Sequence, residues 1–117
     1  MRETADILGY HAHVYFDAET REQATRLREG LARRFTVEVG RWHERPVGPH
    51  PKPMYQVVFA LDEFARVVPW LMLNRAGLSI LVHPSTGDDV ADHDAHPLWL
   101  GEQLPIDVDL MRRHVGE

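Results

Sequence analysis

Two short stretches carry the residue types that could do chemistry: His11-Ala12-His13, and Leu78 to Pro84 with His83 at its end. In an extended chain, side chains two apart point the same way, so the imidazoles of His11 and His13 share a face. The apolar run Leu78-Ser79-Ile80-Leu81-Val82 lies between Gly77 and Pro84 and reads as a buried strand that stops on a histidine. A polar loop follows, with Asp92-His93 and His96-Pro97. Imidazole at a strand end beside a loop rich in His and Asp is a common construction of metal and acid/base sites. Three neutral imidazoles suit Fe(II), Zn(II) or Ni(II); the alternative is two histidines and one carboxylate, from Asp88, Asp89, Asp92 or Asp94. Each of these residues also has a plainer role: a strand histidine often only hydrogen-bonds a neighbour, and acidic loop residues are usually solvated. His43 and His114 read as surface residues, and Trp70 and Trp99 as core. Tyr15 shares the histidine face and is a candidate substrate contact. Arg41, Lys52 and Arg75 are cations that could meet a substrate carboxylate.

These side chains need elements to position them. Tyr10 to Phe16 alternates, with His11, His13 and Tyr15 on one face and Ala12, Val14 and Phe16 on the other. Asp17 is placed to cap a helix over Ala18 to Arg34, where Ala24, Leu27 and Leu31 recur at helical spacing. Phe35 to Trp42 reads as a second strand. The Pro-rich stretch Pro46 to Pro53, with His50 in it, reads as a rigid connection. Met54 to Leu61 is a third strand. Asp62 opens a second helix to about Asn74, with Pro69 expected to kink or restart it and Gly77 to stop it. The strand ending at His83 is the fourth.

Strand, helix, strand, strand, helix, strand predicts an α+β fold, a ferredoxin-like βαββαβ sandwich with an antiparallel four-stranded sheet. The expected sheet has the first and third strands central and parallel to each other, and the fourth antiparallel to the first. One rim then collects His11, His13 and His83, the connection's His43 and His50, and His93 and His96 from the loop. The whole chain, 1–117, is expected to be one domain, with a core over about 8–83 and an extension over 84–117. The extension holds Leu98-Trp99-Leu100-Gly101, which needs a packing partner, and a short helix over Asp107 to His114. It is expected to be ordered and to close the site. The second sheet face, with Tyr15 and Leu81 on it, is expected to stay open and to pair two copies into a homodimer.

Composition narrows the function classes. Hydrophobic residues make up 44%, enough for a packed core. With no cysteine, disulfides and thiolate metal sites are excluded, and the compartment is left at the cytoplasmic default. A net charge of -5, with acid gathered at Asp88 to Asp94 and Asp107 to Asp109, disfavours nucleic acid. No run approaches a membrane span and no signal core is expected at Met1 to Thr4.

Several separated motifs, in order, resemble the DOPA 4,5-dioxygenase family, the small fungal and bacterial type. They are His11-Ala12-His13-Val14-Tyr15-Phe16, Gly48-Pro49-His50-Pro51, Pro69-Trp70-Leu71-Met72-Leu73-Asn74-Arg75, Leu81-Val82-His83-Pro84 with Thr86-Gly87, Asp92-His93, and Trp99-Leu100-Gly101. The resemblance covers roughly residues 8 to 111. It implies a dimeric α+β barrel, and extradiol cleavage of a catechol such as DOPA by O2 at Fe(II), where Zn or Ni can sit in purified protein. Catechol must lose protons on binding, and an imidazole with a pKa near ~6.5 suits that step. On this basis His11, His13 and His83 are the expected ligands. His50 and His93 are the expected acid/base groups, and Tyr15 and Arg75 the substrate contacts. His50 as a ligand, with His11 behind it, stays open. The rival functions are a non-catalytic metal- or ligand-binding module and a cofactor-free oxygenase or isomerase of the dimeric barrel type.

Overall fold

The alternation of the first strand is realised residue by residue. In the computed structural model, which describes residues 1–115, β1 spans Gly9–Tyr15. Ala12 and Val14, with Phe16 just beyond, enter the main apolar core. There they meet Leu27 and Leu31 of α1 (Arg21–Arg34) and Val67 and Leu71 of α2 (Phe64–Asn74). Tyr15 belongs to a second, smaller apolar cluster on the opposite face. The sheet has five strands in the order β2-β3-β1-β4-β5, with β2 Val37–Val39, β3 Met54–Phe59, β4 Ile80–Ser85 and β5 Leu98–Leu100. The ferredoxin-like α+β plan is therefore present, and the extension adds a fifth strand antiparallel to β4.

Every neighbouring pair is antiparallel, including β1 with β3, which the sequence reading had parallel. The reason is chain direction. α1 carries the chain back across the sheet, so β2 runs with β1, and the turn into β3 reverses it again. The connection before β3 therefore starts beside the end of β1, where Tyr15 pairs with Met54, and not beside its beginning.

Element ends differ from expectation for local reasons. Asp17 does not cap α1 directly. Its Oδ1 accepts the backbone N–H of Glu19 at 3.0 Å and of Thr20 at 3.1 Å, building a turn that delays the helix to Arg21. β2 is only three residues long, although the Gly40 N–H still donates to Gln56 O at 2.7 Å and His43 bridges Met54. α2 continues through Pro69 to Asn74 as one helix. β4 runs past His83 to Ser85.

The second sheet face is not open. Tyr15, Met54, Leu81 and Leu104 pack together under Val47, Trp99 and Ile106, so the connection and the tail cover it. Tyr15 is 1% exposed and Leu81 0%. The apolar patch that was to drive pairing is thus buried within one chain. A helix, α3 (Asp89–Asp94), stands where a polar loop was expected; Asp88 caps it by accepting the Ala91 N–H at 3.2 Å. A last helix, α4 (Val108–Val115), starts at Asp107, whose Oδ1 accepts the Leu110 N–H at 3.0 Å. Among the described residues no helix is long and apolar enough to cross a membrane.

The tail is locked at Gly101. Its φ is +82°, and a Cβ there would lie 2.5 Å from Arg75 Nη1 and 3.2 Å from the Leu78 carbonyl oxygen. Gly101→Ala therefore combines backbone strain with a clash, and should destabilise the fold by ~1–3 kcal/mol in urea unfolding. An unchanged midpoint would mean that the tail docks without this close approach.

Candidate metal centre

Register assembles the site. β1 and β4 pair so that His11 faces His83, and the His13 and His83 rings meet with their Nε2 atoms 3.0 Å apart. His93 of α3 lies tilted against His83, with ring centres 4.1 Å apart, and His50 lies 4.3 Å from His13, centre to centre. Five imidazoles form one cluster. Two sets of three place a ring nitrogen of each member within 4.8 Å of the others: His11, His13 and His83, and His13, His50 and His93. His13, His50, His83 and His93 are buried, whereas His11 is half-buried.

Each ring brought in from outside the sheet has a visible support. The connection starts at the far end of β1 and folds back over the face. Pro49 O accepts the Asp107 N–H at 2.9 Å, the His50 N–H reaches Val47 O at 3.1 Å, and His50 Nδ1 meets the Tyr15 hydroxyl at 2.7 Å. His93 is aimed by its neighbour. The buried Asp92 carboxylate accepts the Thr86 N–H at 2.9 Å and the Thr86 hydroxyl at 2.6 Å, which ties α3 to the exit of β4. Two rings donate from Nδ1 to carbonyl oxygens, His83 to Pro84 O at 2.9 Å and His93 to Asp89 O at 2.7 Å. A carbonyl only accepts, so both neutral rings leave Nε2 bare. Metal-binding imidazoles are usually oriented this way.

Electrostatics disfavour charge on His11, His13, His50 and His83. Burial pushes His50 and His83 down to about 4, helped by the neighbouring rings. It lowers His13 well below the ordinary imidazole value, again with its neighbours adding to the effect. Burial also lowers His11, against the upward pull of Asp89 and Asp92. Neutral imidazoles are the form that binds a metal. The His13 Nδ1 atom is buried with no hydrogen-bond partner, an arrangement that costs free energy unless something fills it. The donor set and this unpartnered atom fit a first-row divalent ion.

Of the seven histidines expected on one rim, five meet. His43 stays in its bridge to Met54, and the exposed His96 lies near Arg2. No carboxylate joins either set of three. Asp88 caps α3, Asp92 is held by Thr86, and Asp94 pairs with Arg112. Tyr15 is buried against Trp99 and spends its hydroxyl on His50. Arg75 donates to Leu78 O at 3.1 Å, at the other end of β4 from His83. Tyr15 is thus engaged with His50 inside the cluster, and Arg75 lies at the other end of the strand from it. Trp70 packs on Phe35 and over Gly30, as a core residue does. The Asp92–Thr86 clamp escaped the sequence reading, because two polar residues six apart across a turn carry no periodic signal.

Comparison with known proteins gives consistent matches. The model of the Dopa 4,5-dioxygenase family matches residues 10–110. A crystal structure from Nostoc punctiforme, provisionally described as a dioxygenase, is 56% identical with a TM-score of 0.96, covering 97% of this chain and 99% of that one. An uncharacterized 21.2 kDa protein of Botryotinia fuckeliana is 38% identical over 89% of this chain and 63% of its own length. The DOPA 4,5-dioxygenase of Amanita muscaria is 33% identical over 89% of this chain and 50% of its own. The chain thus spans between half and two thirds of the length of these curated relatives.

Buried neutral imidazoles make stability depend on pH with a definite sign. The folded values lie below the unfolded value of ~6.5, so the unfolded chain binds more protons between about 4 and 6.5. Stability is therefore fully present above that window and lost as pH falls through it. Urea unfolding of metal-free protein should show a falling midpoint from pH 6.5 to pH 5, where carboxylates contribute little. A flat profile there would contradict the buried, neutral cluster.

Proposed function

The chain belongs to the Dopa 4,5-dioxygenase family, and from that premise we propose that it opens a catechol ring with O2, in extradiol fashion, at a non-haem Fe(II) held by His11, His13 and His83. The observation that carries the reading is the 3.0 Å approach of His13 Nε2 to His83 Nε2 next to half-buried His11. A catalytic metal has to keep positions open for substrate. His11 is the member of the cluster that solvent reaches, so this set of three has an accessible side.

Bound there, Fe(II) would supply Lewis acidity toward the two catechol oxygens and an electron path to O2. The remaining steps fall to the chain. His93, with Nδ1 committed to Asp89 O, presents bare Nε2 as the base that takes a catechol hydroxyl proton. His50, buried beside His13, would be the second ring to contact the substrate. His11, His13 and His83 bring no negative charge, so an ion they held would keep its full charge and would favour an ionised catecholate over a neutral phenol. The connection, α3 and the tail keep water from the buried rings, which strengthens each polar contact inside. DOPA is the named candidate among catechols; Arg75 lies against Leu78, at the end of β4 away from His83.

A second ligand set has one observation in its favour. His13, His50 and His93 are all buried, and the unpartnered Nδ1 gives His13 a second nitrogen that could serve as a ligand atom. His83 would then not be a ligand.

Anaerobic loading with Fe(II), followed by O2 uptake across a panel of catechols including DOPA, tests the function. Uptake with at least one catechol is expected; bound iron without uptake would make the protein a binding module instead. His83→Ala should lose iron and activity together. His93→Ala should keep iron and slow turnover by ~10²–10⁴-fold. Iron lost in His93→Ala but kept in His83→Ala would select the second ligand set, and iron lost equally in both would mean that α3 supplies a ligand beside His83. The proposal includes a cytoplasmic homodimer, joined through a surface other than the Tyr15 face, which light scattering at micromolar concentration would detect.

A further inference from the structure

The Tyr15 hydroxyl has His50 Nδ1 as its one hydrogen-bond partner among the described residues, at 2.7 Å. Tyr15 is 1% exposed, so bulk solvent does not reach it. A phenol keeps its proton at pH 7. That proton needs an acceptor. Were His50 to donate from Nδ1 to the phenol oxygen, the buried O–H would have none, at a cost of ~1–3 kcal/mol. Were the O–H to donate, both atoms are satisfied. His50 then accepts on Nδ1 and, as a neutral ring, must carry its own proton on Nε2.

We propose that Tyr15 is a positioning residue: its O–H donates to His50 Nδ1 and fixes His50 in the Nε2–H form, so that His50 offers the site a hydrogen-bond donor and is not a metal ligand. The inference rests on the dioxygenase reading only for the identity of what that donor meets, an anionic catecholate oxygen. The cluster is then asymmetric. His83 and His93 are held by carbonyls with bare Nε2 atoms, whereas His50 is held by a hydroxyl with its Nε2 protonated. No proton leaves His50 in this role. It stabilises negative charge from a fixed direction, as preorganised donors do. The backbone supports the arrangement, because His50 sits between Pro49 and Pro51, and Tyr15 is wedged between Trp99 and the Met54–Leu81 cluster.

The test reads the tautomer directly. Long-range proton–nitrogen correlation spectra of metal-free protein, labelled with 15N in histidine and held at pH 7, should show His50 protonated on Nε2. His83 and His93 should be protonated on Nδ1. His50 protonated on Nδ1 would overturn the proposal, even in a fully active enzyme. In Tyr15→Phe the His50 signal should shift toward a tautomer mixture, and iron content should stay at the wild-type level. The kcat/KM for catechol should fall by ~10–100-fold. An unchanged His50 tautomer in that variant, or iron lost along with activity, would also overturn it. The spectra need neither metal nor substrate, so failure of the dioxygenase reading leaves this result intact and distinguishable.

Discussion

His13 and His83 lie 70 residues apart in the chain, and the antiparallel pairing of β1 with β4 is what brings them together. Everything else in the site is added to that contact. A strand can serve two masters only because its side chains alternate. β1 gives Ala12 and Val14 to the helices and His11 and His13 to the other face, and β4 does the same with Val82 and His83. A slip of one residue would send imidazoles into the helix core and apolar groups into the site. The apolar packing that fixes the register is therefore also what fixes the chemistry.

The polar face has to be dry without being charged. Five imidazoles gather where one or two carboxylates would be the more usual company. Asp92, the one buried acid beside the cluster, has both oxygens occupied by Thr86. Imidazole tolerates such a place because its neutral form is accessible at ordinary pH. The surrounding hydrogen bonds then decide which nitrogen each ring shows. Carbonyl partners expose lone pairs and a hydroxyl partner permits the reverse, so one residue type can supply both ligands and donors.

Much of this was legible in the sequence where periodicity spoke. The faces of β1, the burial of the run ending at His83, and the helix carrying Leu27 and Leu31 follow from spacing, and the second helix from its end signals at Asp62 and Gly77. The direction of β3 did not, since strand direction depends on counting reversals of the chain and not on residue type. His50 was expected near the cluster for the wrong reason. The connection begins at the opposite end of the sheet and reaches the site by folding back. α3 was obscured by its polar residues, which suit a loop and a short capped helix equally. Tyr15 and Arg75 show the limit most clearly: both are types that bind substrates, and both are occupied, one by His50 and the other by Leu78. Only tertiary contacts carry that information.

The connection that delivers His50 has little regular structure, yet it holds one ring on a hydroxyl at 2.7 Å. Pro46, Pro49, Pro51 and Pro53 explain how. Each ring removes freedom at φ, and each restricts the residue before it, so the unfolded segment already samples few shapes. Ordering such a loop forfeits less conformational entropy than ordering a flexible one of equal length. The stiffness that places His50 thus resides in the unfolded chain as much as in the folded one. A loop of this kind can present a working side chain without a helix or strand beneath it.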